Sequence, residues 1–190
     1  QEAAPAFLGD FRFQTIRITQ FMSGLMPLST TSESLDMVLT MIDSNKCSYS
    51  EDELKAAYNS HLANNYGNLL NRLIHLGTLK NIDINDSTKI EESFREKVSN
   101  SRAEIEQHYE EYELFDAVSS IIDLISYGNQ YVHEKEPWKL NNEDASVVLN
   151  NVSLLVMTAT ILLEPIIPDA AIKAMEAIKR KEKIILFPRM

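Results

Sequence analysis

The run from Asn142 to Leu162 constrains this chain more than any other stretch. Val147, Val148, Val152, Leu155, Val156, Ala159 and Leu162 keep helical spacing, and beyond Val152 the run is apolar nearly all round. A helix with no polar face cannot lie on a surface and has to be wrapped by other elements. The expectation is a helical bundle with this helix at its centre, opened by Asn142, Glu143 and Asp144. No run reaches eighteen consecutive apolar residues, so no membrane span is expected.

The wrapping helices can be read in order. Tyr112 to His133 places Leu114, Phe115, Val118, Ile121, Ile122, Ile125 and Val132 on one wide apolar face, and Pro137 stops it. Ser50 with Glu53 makes a capping box for a long helix to about Leu76, carrying Leu54, Ala57, Tyr58, Leu62, Leu69 and Leu73, with Gly77 as its stop. Gly67 lies inside that helix, where glycine costs about 1 kcal/mol against alanine. Close helix packing or room for an approaching ligand would each explain it. Asp86 or Ser87 opens a charged helix to about Glu111, most simply a solvated face, and a last helix runs from Asp169 to about Lys181 after the rigid corner Glu164–Asp169. Ile184 to Arg189 is an extended tail. Nearer the start, Asp10 to Leu25 is expected to be a helix, with a strand over Phe11–Ile18 as the competing reading, and a further helix carries Leu35, Val38, Leu39 and Ile42. The total is six or seven helices, an all-α fold. Only five glycines in 190 residues and a 44% hydrophobic content agree with it.

The single cysteine, Cys47, excludes an internal disulfide and fits a reducing cytosol or an organelle matrix. No signal peptide is seen, and the opening Gln1 in place of methionine suggests a piece of a longer protein. The net charge of −10 and a pI of about 4.9 argue globally against nucleic-acid binding. The distribution qualifies that. Between Asn81 and Asp116 eleven acidic residues face four basic ones, so most of the negative charge sits on one segment and the rest is close to neutral.

Catalytic constellations are missing. His61, His75, His108 and His133 form no nucleophile–base spacing with each other or with Cys47, and no glycine-rich loop cradles phosphates. Glu104, His108 and Glu111 share a helical face and have metal-binding spacing, but nothing completes a coordination shell; a solvated charged face is the simpler reading. No metal site and no cofactor is expected in this chain.

Recognition chemistry is better represented. Asn68 and Arg72 are four apart and project from one helix face. An asparagine amide can pair with a base edge; an arginine can bond a base or phosphate in a planar fork, or stack. Trp138, the only tryptophan, follows Pro137 at a helix end and would make a fixed platform for an unstacked base. The competing reading is an Asn–Arg pair on a surface helix and a tryptophan lodged in the core.

Several motifs bear on that choice. Ala63 to Leu73 reads A-N-N-Y-G-N-L-L-N-R-L and resembles the "L-A-N-x-x-G-N-L-x-N-R" helix of class I aminoacyl-tRNA synthetases of the methionyl type. Asn129-Gln130-Tyr131-Val132 running into Glu134-Lys135-Glu136-Pro137-Trp138-Lys139-Leu140 resembles that family's "N-x-Y-I" and "x-K-P-W-x-L". Leu163 to Ala171 resembles "L-x-P-F-M-P-x-x-A", and Leu186 to Met190 resembles "L-F-P-R-I". The motifs occur in the family's order over about Glu51 to Met190. Residues 1–46 match poorly and would be a lead-in and junction, with 47–190 as the anticodon-binding helical bundle; Pro27 to Ser50 replaces the family's usual "P-F-G-x-D-x-D-F-S" junction.

The resemblance implies that Trp138 stacks on the first anticodon base, that Pro137 supports it, and that Asn68 and Arg72 contact anticodon bases. It implies a parent enzyme that attaches methionine to tRNA(Met) using ATP, with Mg2+, in a catalytic domain whose H-I-G-H and K-M-S-K-S signatures are not in this chain. The cytoplasm or an organelle matrix would be its compartment, and no membrane partner is implied. The acidic 81–116 segment would face away from tRNA. The alternative is a non-catalytic helical scaffold or interaction domain of the same fold, in which Trp138 would be buried or Arg72 held by a carboxylate.

Overall fold

The structure, a computed structural model, describes residues 51–189. The two helices expected between Asp10 and Ile42, the strand alternative at Phe11–Ile18, Cys47 and the Ser50 cap lie outside the described residues. Among those described, the chain is helical and contains no strand. Helix α1 (Glu51–Ala57) passes through a π-helical segment (Tyr58–Gly67) into α2 (Asn68–Leu79); a 3-10 turn (Ser87–Lys89) precedes α3 (Glu92–Glu110), α4 (Leu114–Lys135), α5 (Asn142–Leu163) and α6 (Pro168–Arg180).

Helix α5 is the centre. Val152 to Val156 are consecutive residues with at most one partly exposed neighbour, Met157, and α5 packs against α2, α3, α4, α6 and the 3-10 turn. By length and mean hydropathy α5 would suffice to cross a membrane, but 78% of its apolar window is buried inside the bundle. Asn141 caps it by accepting from the Asp144 amide at 2.9 Å.

Two buried asparagines on α5, neither evident in the sequence, organise the connection before α3. Asn150 Oδ1 accepts from the Asp86 amide at 2.9 Å and Nδ2 donates to the Asp83 carbonyl at 2.9 Å. Asn151 Oδ1 accepts from the Glu91 amide at 3.0 Å, while Nδ2 donates to Glu91 Oε2 at 2.6 Å and to Tyr131 Oη at 2.9 Å. These bonds hold Asp86 to Glu91 against the core and explain why the charged helix starts later than expected. Asp86 caps only the three-residue 3-10 turn, and α3 begins at Glu92.

The helix ends also depart from expectation. Gly77 does not end α2; the helix runs on to Leu79. Asn81 takes the left-handed conformation (φ 52°), its amide donating to Thr78 O and that of Ile82 to Gly77 O, the paired bonds of a Schellman end. Gly77 is required by packing instead, since a Cβ there would meet Ile84 Cγ2 at 2.6 Å. Tyr112 plays the Asn81 role after α3, which is why α4 starts at Leu114 and not at Tyr112.

Candidate nucleic-acid interface

The two motif stretches that carry the candidate site meet on the folded chain. The π-helical segment, which sequence periodicity did not foretell, leaves its backbone groups in a different register from an α-helix. Asn129 on α4 takes up that register: its Nδ2 donates to Asn65 O at 3.1 Å and to Asn65 Oδ1 at 2.8 Å. Asn65 Nδ2 in turn donates to Ser126 Oγ at 2.9 Å. Tyr66, fully buried, is fixed to the central helix by a 2.6 Å hydroxyl bond to Thr160. Burial drives its phenol pKa well above the ordinary value, so it stays neutral. One turn along α4, a Cβ at Gly128 would sit 2.9 Å from Leu69 Cδ2 and 2.9 Å from Leu155 Cδ2, so only glycine lets α2, α4 and α5 approach this closely.

At Gly67, an added Cβ would lie 3.2 Å from Leu62 O and 3.7 Å from the Phe187 ring. Of the two explanations open in the sequence, the packing one accounts for these contacts, with the chain's own tail as the neighbour.

The far end of the site is tied as well. Glu136 ends α4 in the left-handed conformation (φ 45°) and its amide bonds Val132 O at 3.1 Å. Pro137 is buried and Trp138 projects beyond it, 41% exposed. Lys80, at the end of α2, donates from Nζ to Leu140 O at 2.8 Å and accepts from Asn142 Nδ2 at its carbonyl at 3.3 Å. The Trp138 turn is thereby fastened to α2.

On this frame Arg72 places its guanidinium carbon 5.7 Å from the centroid of the Trp138 ring. That is cation–π distance, and it forms no ion pair with a carboxylate among the described residues. Asn68 is exposed one turn earlier and makes no side-chain hydrogen bond among the described residues. It does not touch Trp138; it lines a neighbouring cleft against the C-terminal tail. The structure brings Arg72 and Trp138 together on supported, accessible surface and sets Asn68 beside them. An arginine against one face of a partly exposed indole can bond phosphate or base edges while the remaining ring surface accepts a stacked base.

The histidine on α3 resolves differently from its expected partners. His108 Nδ1 pairs with Glu113 Oε2 at 2.8 Å, with Asp116 nearby, and not with Glu104 or Glu111.

Comparison with known proteins gives the site a context. Residues 83–188 match the family model described as the anticodon binding domain of methionyl tRNA ligase. The chain is 32% identical over 139 residues to the methionine–tRNA ligase of Methanocorpusculum labreanum (72% of this chain, 20% of the relative) and 31% identical over 134 residues to that of Methanosarcina mazei (69% and 19%). It is 29% identical over 140 residues to that of Chlamydia trachomatis (68% and 25%). The chain therefore spans a fifth to a quarter of these relatives. The fold resembles that of the apo Mycobacterium tuberculosis methionyl-tRNA synthetase, with a TM-score of 0.60 at 18% identity over 75% of this chain and 35% of that one. The same synthetase in complex with methionyl-adenylate gives 0.57 at 22% identity over 67% and 27%. A match over more than half the chain settles its membership: it belongs to the family of methionyl-tRNA ligase anticodon-binding domains.

Proposed function

We propose that this chain recognises the anticodon loop of tRNA(Met) within a methionine–tRNA ligase, with Trp138 stacking on the first anticodon base and Arg72 and Asn68 contacting anticodon bases. The observation that carries the reading is the Arg72 guanidinium 5.7 Å from the ring centroid of a 41% exposed Trp138, where the two family-like motifs converge. A scaffold that had lost RNA binding would leave no reason to keep an indole accessible and an arginine free of carboxylates on the same spot.

Charge placement supports it. Helix α3, which holds most of the acidic segment, packs on α4 and α5, whereas α2 packs on α4, α5 and α6. The acidic face is thus directed away from the RNA, which approaches along α2. Residues 47–190 form the RNA-binding bundle, and 1–46 lead in from the catalytic part of the same enzyme. ATP and Mg2+ act in that part, where methionine is activated, since this sequence holds no phosphate-cradling loop. The cytoplasm is the compartment that fits, with an organelle matrix as the variant.

The test follows Trp138 fluorescence while the chain is titrated with an anticodon stem-loop carrying CAU, and separately with one changed at the first anticodon base. Strong quenching by CAU and weak quenching by the changed loop is the expected result. Equal quenching by both would reduce the function to non-specific RNA binding, and no response from the folded protein would return the chain to the scaffold reading.

A further inference from the structure

The C-terminal tail is not a loose end. Phe187 packs its ring against Tyr58 (6.0 Å between centroids) and Tyr66 (5.9 Å). Arg189 donates from Nη2 to Asn64 Oδ1 at 2.7 Å. Between this pinned tail, Ile185 to Arg189, and the helical stretch Ala63 to Asn71 lies a cleft of about 520 Å³. That is within the size range of small-molecule sites, roughly 300–1,000 Å³, and ample for one nucleotide.

Its polar lining is underused. Asn68 is exposed and unpartnered among the described residues. Asn71 commits Nδ2 to the Gly67 carbonyl at 3.0 Å, which fixes its amide orientation and leaves Oδ1 shielded from solvent with no donor. A shielded carbonyl with no partner is uncommon and unfavourable. Arg189 spends one N–H on Asn64, and a guanidinium carries five. Amides with open base-edge positions, a cation at the rim and apolar walls make a set suited to a nucleotide. Arg72 follows Asn71 directly and already lies against Trp138, so the cleft and the indole are about one helical turn, roughly 5.4 Å, apart along α2.

We propose that this cleft is a second nucleotide site, which takes the nucleotide next to the one stacked on Trp138: its base against Asn68 and Asn71, its phosphate on Arg189. The proposal rests on the anticodon reading above. Because Asn71 offers only an acceptor, reached by a small adjustment of the tail, the site favours a base that presents an amino group.

The experiment uses the 190-residue chain and the fluorescence of Trp138, with three stem-loops: CAU, a loop changed at the first anticodon base, and a loop whose second base is purine, which lacks the exocyclic amine of adenine. The wild type is expected to bind CAU about 5- to 150-fold better than the purine loop, the range for one base-edge contact. Asn71→Leu should abolish that difference while keeping the preference at the first base. Arg189→Ala, at an exposed position that leaves folding intact, should weaken all loops by the same factor and lower the salt dependence by about one unit of slope. If the wild type discriminates at the first base but binds the purine loop as well as CAU, or if Arg189→Ala binds with wild-type affinity and salt slope, the second site is refuted while the anticodon reading stands. If no loop perturbs Trp138 in the wild type, both fall together.

Discussion

Two regions within one helical turn of each other differ in how their polar groups are used. At Asn65, Tyr66, Ser126 and Asn129 the side chains are engaged inside the molecule, through bonds of 2.6 to 3.1 Å that bind the π-helical segment to α4 and α5. At Asn68, Arg72 and Trp138 the side chains face outward, and their only described mutual contact is an arginine on an indole. The first region is a frame and the second a face. A frame gains from satisfying its groups internally, because a buried unpaired group costs about 1–3 kcal/mol. A recognition face has to hold donors, acceptors and ring surface in reserve, and it can do so only if the frame fixes their positions.

Substitutions can separate the two regions. The largest expected effect is on binding at the face: Trp138→Ala should weaken affinity for a CAU stem-loop by about 1–3 kcal/mol, the worth of one stacked base, with the unfolding midpoint close to wild type. Equal losses in stability and binding would mean that the indole belongs to the frame. In the frame, Gly128→Val should show the reverse pattern, lowering stability by about 1–3 kcal/mol because its new atoms meet Leu69 and Leu155 at their present positions. Denaturant unfolding reads this directly, and an unchanged midpoint would show that α2, α4 and α5 can part at little cost. Asn129→Ala should come next, at about 1 kcal/mol for lost hydrogen bonds to Asn65, with RNA affinity falling through misplacement of α2.

A smaller effect should appear with pH. Burial pushes the Tyr131 phenol up to about 12, above the ordinary value near 10, with the nearby Glu91 carboxylate adding to it and the Asn151 bond opposing it. A raised folded-state pKa means that the stabilising contribution is complete below about pH 10 and is lost as pH rises toward 12. Wild type should therefore lose stability more steeply than Tyr131→Phe over that window, and parallel curves would contradict the assignment. The smallest effect is expected on α3: Glu96→Gln, on the acidic face, should leave stem-loop affinity unchanged, and a marked gain would place that face beside the RNA.

Much of the frame's outline was legible in the sequence, for identifiable reasons. Apolar periodicity gave α4 and α5 within two residues, and the all-round apolar character of α5 gave its central place. Periodicity is blind to backbone register, so the π-helical segment Tyr58–Gly67 passed as ordinary helix. Glycine was weighted as a helix stop, whereas here asparagine, tyrosine, glutamate and lysine take the left-handed positions at Asn81, Tyr112, Glu136 and Lys181. Asn150 and Asn151 could not be singled out, because their value lies in partners some sixty residues away. For the face, side-chain chemistry suggested Asn68, Arg72 and Trp138, but their arrangement depends on long-range contacts. That Asn68 would line the tail cleft and Arg72 would lie on the indole follows only from how Lys80, Asn129 and Phe187 fix the elements around them.

The most direct test of the central claim is a photo-crosslink from a CAU stem-loop carrying a photoreactive first anticodon base, with the modified residue identified by mass spectrometry. The account predicts an adduct on the peptide that contains Trp138. Adducts confined to α3, or to any surface away from α2 and the Trp138 turn, would contradict it.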